Sequence, residues 1–135
     1  MATVINLRKS VETIRLSDDP DAKEYRIVFT DASLRKMGKA FEELKEAIDG
    51  YEDDKEKALE AARGFVIATA GQECWDDAVA YVDVNGDGEQ ACFLQLVPLM
   101  LSIGELVMER IGIESAERIR RYTAEAAHGA AFKLV

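Results

Sequence analysis

Apolar and polar residues along this chain fall into three rhythms, each of which predicts a different kind of element. Between Glu24 and Thr30 they alternate, with Tyr25, Ile27 and Phe29 on one side and Arg26 and Val28 on the other. A period of two marks a strand with one buried face. Val11 to Leu16 mixes β-branched and charged residues and reads as a second strand. Ser17-Asp18-Asp19-Pro20-Asp21-Ala22 between them is loop chemistry, since proline fixes φ and aspartate side chains accept from nearby amides. The two runs make a β-hairpin, and Val4 to Leu7 is a further short apolar piece read as a strand. A lone hairpin is marginal in water, so its apolar face predicts a helical cover.

The second rhythm follows at once. Leu34, Met37, Phe41, Leu44 and Ile48 are spaced to form one stripe down a helix, with Asp31 or Ser33 as its cap and Gly50 as its stop. As a coiled-coil seam the stripe lasts only about two heptads, so it reads as packing on the hairpin or on a neighbouring helix. Glu52 to Lys57 is a charged entry to another helix, which runs through Leu59, Ala62, Phe65, Val66 and Thr69, is weakened by Gly64 and ends at Gly71. Trp75, Val79 and Val82 fall at helical spacing in a short helix.

In the third rhythm, Ala91 to Ile111, apolar residues cover more than one stripe. Pro98 removes a backbone donor there and crowds the preceding turn, which predicts a kink or a break between two helices near Leu96. Gly112 is the expected stop, and Glu114 to Ala127 a last amphipathic helix with Ile119 and Tyr122 inward. The pattern predicts one α+β, mostly α-helical domain. It has a β-hairpin region over 1–30, a bundle of about four to five helices over 31–128 and a tail over 129–135.

Charge narrows the partners. The 135 residues hold 26 acids against 17 lysines and arginines, a formal net charge of -9, which argues against nucleic acid and anionic membranes. The longest apolar run contains Gln95, Pro98, Ser102, Gly104 and Glu105 and makes a poor membrane span. The N-terminus lacks a basic segment followed by a long apolar one, and Cys74 and Cys92 form no Cys-x-x-Cys pair. Both features predict a cytoplasmic protein with reduced, buried thiols.

The sharpest local signal is the turn Asp83-Val84-Asn85-Gly86-Asp87-Gly88-Glu89. Asp83, Asn85 and Asp87 followed by Gly88 match the first half of a calcium loop, with oxygens on alternate residues of a tight bend. The second half is missing, because Ala91 and Leu94 stand where the last ligands belong. The plainer reading is a glycine-rich turn that starts a helix. The same turn has neither the following glycine of a dinucleotide fold nor a phosphate-binding lysine. Asp18/Asp19, Asp53/Asp54 and Asp76/Asp77 read as solvated faces, and His128, the only histidine, has no fixed Ser or Cys partner. One histidine and two separated cysteines do not make a zinc site. The residues point away from an enzyme. The apolar surface from Phe93 to Ile111 has two readings, a fully buried central helix or one that keeps an apolar face for a partner, with Met100 and Met108 making that face adaptable.

Taken together, several features resemble the small tail assembly chaperones of long-tailed bacteriophages and prophages of Gram-positive hosts. A short β segment, Val4 to Phe29, comes first, followed by the charged amphipathic helix Leu34-Arg35-Lys36-Met37-Gly38-Lys39-Ala40-Phe41-Glu42-Glu43-Leu44. Then comes an Asp-x-x-Gly-x-Gly turn, Asp83 to Gly88, with Ala91, Cys92 and Phe93 after it, and an apolar helix. The likeness reaches to about Ile111. It departs from the family pattern where Asn85 replaces the Phe often found before the first glycine. The resemblance implies a non-enzymatic protein without a cofactor that binds the long, helical tape-measure protein during tail morphogenesis, self-associates, and in some members is also made in a longer frameshifted form. It implies contacts from Leu34, Met37, Phe41, Leu44, Phe93, Met100 and Met108.

Overall fold

The computed structural model describes residues 2–5 and 9–129, with side-chain surroundings through Gly112. An antiparallel hairpin of β1 (Val11–Arg15) and β2 (Glu24–Val28) is followed by α1 (Asp31–Asp49), α2 (Lys55–Ala70), α3 (Gln72–Val82) and α4 (Phe93–Gly129). This is the α+β, mostly helical class expected from the sequence.

The hairpin register pairs Val11 with Val28, Ile14 with Tyr25 and Arg15 with Glu24. Tyr25, Ile27 and Phe29 turn inward as their alternation requires. Between the strands, Asp19 accepts from the Asp21 amide at 2.9 Å through its side chain and from the Ala22 amide at 2.9 Å through its carbonyl. Ala2 to Ile5 is not a strand, and Asn6 and Leu7 lie outside the described residues. Val4 and Ile5 are exposed, without the buried face that would favour pairing.

Helix α1 is capped by Thr30, rather than by Asp31 or Ser33. The Thr30 hydroxyl accepts from the Ser33 amide at 3.1 Å, and the Ser33 hydroxyl accepts from the Thr30 amide at 2.8 Å. Ser33 thus completes the reciprocal pair of bonds that a glutamate usually makes three residues into a helix. Asp54 caps α2 by accepting from the Lys57 amide at 3.0 Å. Gly71, at φ 99°, is the single residue between α2 and α3, in a conformation that costs an L side chain free energy.

One contiguous core runs through the hairpin and all four helices. Trp75, Phe65, Phe93, Leu44, Leu96 and Met100 are its large, fully buried members. Helix α4 lies antiparallel to α1, because Gly38 meets Ile111, Phe41 meets Gly104 and Tyr51 stacks on Phe93 at 4.8 Å. The Phe41 ring occupies the place of a side chain at Gly104. A Cβ there would stand 2.1 Å from Phe41 Cε1.

Neither a break at Pro98 nor a stop at Gly112 interrupts α4. The helix passes unbroken through Pro98 and Gly112, so the two or three helices expected after the turn are one helix of 37 residues, about 55 Å long. Pro98 and Leu94 both lie on the exposed side of the helix, where a Leu94 carbonyl that loses its intrahelical partner costs least. Gly112 only lowers helix propensity, by about 1 kcal/mol, and the alanine-rich sequence beyond it restores it. The inward assignment of Ile119 and Tyr122 and the tail 130–135 lie outside the described residues.

Candidate functional site

The Asp83 turn is held from within. Asp83 ends α3, with its amide donating to the Val79 carbonyl at 2.8 Å. Its carboxylate accepts from the Asp87 amide at 2.8 Å on one oxygen and from the Gly88 amide at 2.9 Å on the other. Gly86 and Gly88 take φ values of 73° and 97°, which the bend requires and which glycine adopts at no steric cost. Both Asp83 oxygens are therefore engaged by the backbone, while Asn85 and Asp87 are exposed. Among the described residues no three His, Cys, Asp or Glu side chains gather to hold a metal ion.

Glu89, which closes the turn, joins three elements. Its Oε1 accepts from the Trp75 indole Nε1 at 2.7 Å, and its Oε2 from Arg63 Nη2 at 2.8 Å. The Trp75 hydrogen bond and the Arg63 charge hold the Glu89 carboxyl below its usual range, against the opposing effect of burial. Cys92, buried next to this turn, has its thiol pushed up by burial and by the nearby Asp83 charge.

A second polar cluster ties the hairpin to α3. The Tyr25 hydroxyl donates to Asp77 Oδ2 at 2.5 Å, and Lys23 reaches both Asp77, at 3.4 Å, and Glu73. Burial and the Asp77 carboxylate push the Tyr25 hydroxyl well above its ordinary value. The same bond holds the Asp77 carboxyl down, with help from Lys23. Burial raises the Cys74 thiol to about 11. On the opposite side, Arg110 crosses from α4 to Glu12 of β1 at 2.9 Å and lies over the Phe29 ring, with its side chain only 11% exposed. These contacts fix where the hairpin sits on the helices.

Between the hairpin and the helices lies an open groove of about 510 Å³. β1 supplies Ile14 and the residue just after it Leu16, α3 supplies Tyr81 and Val82, and α4 supplies Leu96 and Leu99. Tyr81 is 64% exposed although it is aromatic. Arg15, between Ile14 and Leu16, pairs across the hairpin with Glu24, its Nη2 donating to Glu24 Oε1 at 3.0 Å. Gln95 and Ser102 are the neutral polar residues of the α4 wall.

The expected contact residues lie mostly elsewhere. Leu34, Met37, Phe41, Leu44, Phe93 and Met100 are core side chains and form no free face. They are buried because the same three-and-four spacing that suggested a contact stripe is what the chain's own core requires. Met108 alone of the seven is exposed, at 39%, and it aligns at seven-residue spacing with exposed Leu101 and Leu94 on α4. No local pattern links the groove residues Ile14, Leu16, Tyr81 and Leu99, because only the packing of separate elements brings them together. Helix α4 was legible as apolar on more than one stripe, and it does bury one face while leaving others open. Among the described residues one helix, Gln90–Gly112, is long and apolar enough to cross a membrane. Five of its side chains, Phe93, Leu96, Met100, Ile103 and Val107, belong to the core.

No protein-family model, curated protein or solved structure matches the chain.

Proposed function

We infer that this protein is a non-enzymatic assembly chaperone that holds an apolar helical segment of a larger partner. The phage tail assembly chaperones it resembles make a tape-measure protein in the bacterial cytoplasm the partner of choice, and a self-associated form the working state. The observation that carries the reading is the groove between β1, α3 and α4, an apolar trough walled by Ile14, Leu16, Tyr81, Val82, Leu96 and Leu99 on a strongly acidic protein. An apolar trough of this kind accepts the greasy face of a helix. The net negative charge of the chain would keep a loaded complex soluble. Exposed Leu101 and Met108 extend the apolar surface of α4.

Co-expression with the tape-measure protein of a neighbouring gene tests this directly. The expected result is a larger soluble fraction of the long protein, lost when Tyr81→Asp or Leu99→Asp places a charge in the groove of a chain that still folds. A long protein that is equally insoluble with and without this chain would overturn the reading.

A further inference from the structure

The reading above takes a self-associated form as the working state, and the hairpin region offers a surface for it. Two of its features are complementary and unsatisfied within one chain. The first is a strand-like segment without a sheet. Val4 and Ile5 are apolar and β-branched, yet they are 78% and 77% exposed, and residues 2–5 pair with nothing in their own chain. The second is a sheet edge without a strand. The Phe29 amide donates to the Ser10 carbonyl at 2.7 Å. Bonded pairs alternate along an antiparallel ladder, so the amides and carbonyls of Val11, Thr13 and Arg15 point away from β2. Among the described residues no third strand takes them up. Of the two strands, β2 packs on α2 and buries Tyr25 and Ile27, whereas no residue of β1 is buried, so β1 is the outer strand.

We propose that residues 2–5 of one copy add as a strand to the outer edge of β1 in a second copy. Main-chain hydrogen bonds of this kind supply affinity wherever an extended segment meets an open sheet edge. Each copy offers one arm and one edge, so reciprocal exchange between two copies leaves neither unpaired. Charge favours the same pairing. Residues 2–11 hold Arg8 and Lys9 and no acid, on a chain of net charge -9, so the arm of one copy is drawn to the body of another.

Light scattering over a concentration series reads the association of the full chain. Proline has no N–H and is tolerated at a sheet edge, so it tests each strand. At Thr13 the amide lost points away from β2, and the hairpin keeps its own bonds. Thr13→Pro, and separately the double variant Val4→Pro with Ile5→Pro, should each weaken association by about tenfold or more, as loss of one or two main-chain bonds implies. Arg26→Pro, directly across the hairpin from Thr13, removes an amide on the other edge and should leave association unchanged. Thermal melts check that each variant folds. If Thr13→Pro does not, the arm variant decides, because Val4 and Ile5 lie outside the core. A folded arm variant that associates like the wild type overturns the inference, and a loss on Leu101→Asp then assigns self-association to α4. A wild-type chain that stays monomeric throughout also overturns it. Neither result touches tape-measure binding, which the co-expression trial decides separately.

Discussion

The Trp75 indole donates to Glu89 at 2.7 Å, and that bond fastens the loop after α3 to the centre of the core. Trp75 is fully buried, so its N–H has no access to water, and Glu89 is the partner that satisfies it. The other Glu89 oxygen holds Arg63 of α2, so one carboxylate sets the loop against two helices and aims the start of α4.

Replacing Glu89 with leucine leaves the Trp75 N–H unpaired in the core and releases Arg63. The expected cost is about 1–3 kcal/mol, the usual penalty for stranding a buried donor. Glu89→Gln retains an acceptor for Trp75 and loses only the ion pair, so it should cost less. Urea denaturation followed by Trp75 fluorescence measures both. Equal losses for the two variants would mean that the indole bond carries little of the stability.

Stability should fall on both sides of neutral pH for identifiable reasons. Glu89 and Asp77 are held below the usual carboxylate range when folded, so their contributions are present above the unfolded values, near pH 4. Those contributions disappear as pH falls through the lower folded values. The Tyr25 hydroxyl is shifted upward, so its contribution is present below about pH 10 and is lost as pH rises beyond that. Cys74, raised to about 11, adds to the same alkaline loss from a lower starting point. Glu89→Gln is expected to flatten the acid limb of a stability–pH curve, and Tyr25→Phe to reduce the alkaline limb. Unchanged limbs in both variants would contradict these assignments.

Gly104 and Gly64 are both helical glycines, yet alanine should act on them in opposite directions. At Gly104 the new methyl would fall on the Phe41 ring, and overpacking of this kind costs about 1–3 kcal/mol. Pairing Gly104→Ala with Phe41→Leu should recover part of that cost, because the two sites share one contact. At Gly64, in the interior of α2, nothing lies within 4 Å, and alanine should stabilise by about 0.5–1 kcal/mol through helix propensity. Chemical denaturation of the three variants gives the signs.

Calcium to about 1 mM should leave the melting temperature and the Trp75 emission unchanged. Both Asp83 oxygens already accept backbone amides, and Ala91 and Leu94 supply no oxygen ligand from their side chains. Because Glu89 links the turn to Trp75, an ion that rearranged the turn would alter that fluorescence. A rise of several degrees in the melting temperature would show that the turn is a cation site.

The local pattern determined a good deal by itself. The alternation at Tyr25, Ile27 and Phe29 and the stripe at Leu34, Met37, Phe41 and Leu44 each named their element and its buried face, because periodicity is a property of neighbouring residues. Helix ends were less legible, since Thr30 could be told from Asp31 only by the reciprocal bonds it makes with Ser33. The continuity of α4 through Pro98 also lay beyond local rules, because it depends on which side of the helix faces water. The tertiary structure decided the rest. It placed Phe41 in the space of a missing Gly104 side chain, gave Glu89 its two partners, and converted most of the expected contact stripe into core. The groove exists only where β1, α3 and α4 meet, with Ile14, Tyr81 and Leu99 far apart in the chain. Spacing along a sequence records which face of an element is apolar, but only the packing of several elements determines which apolar residues remain open.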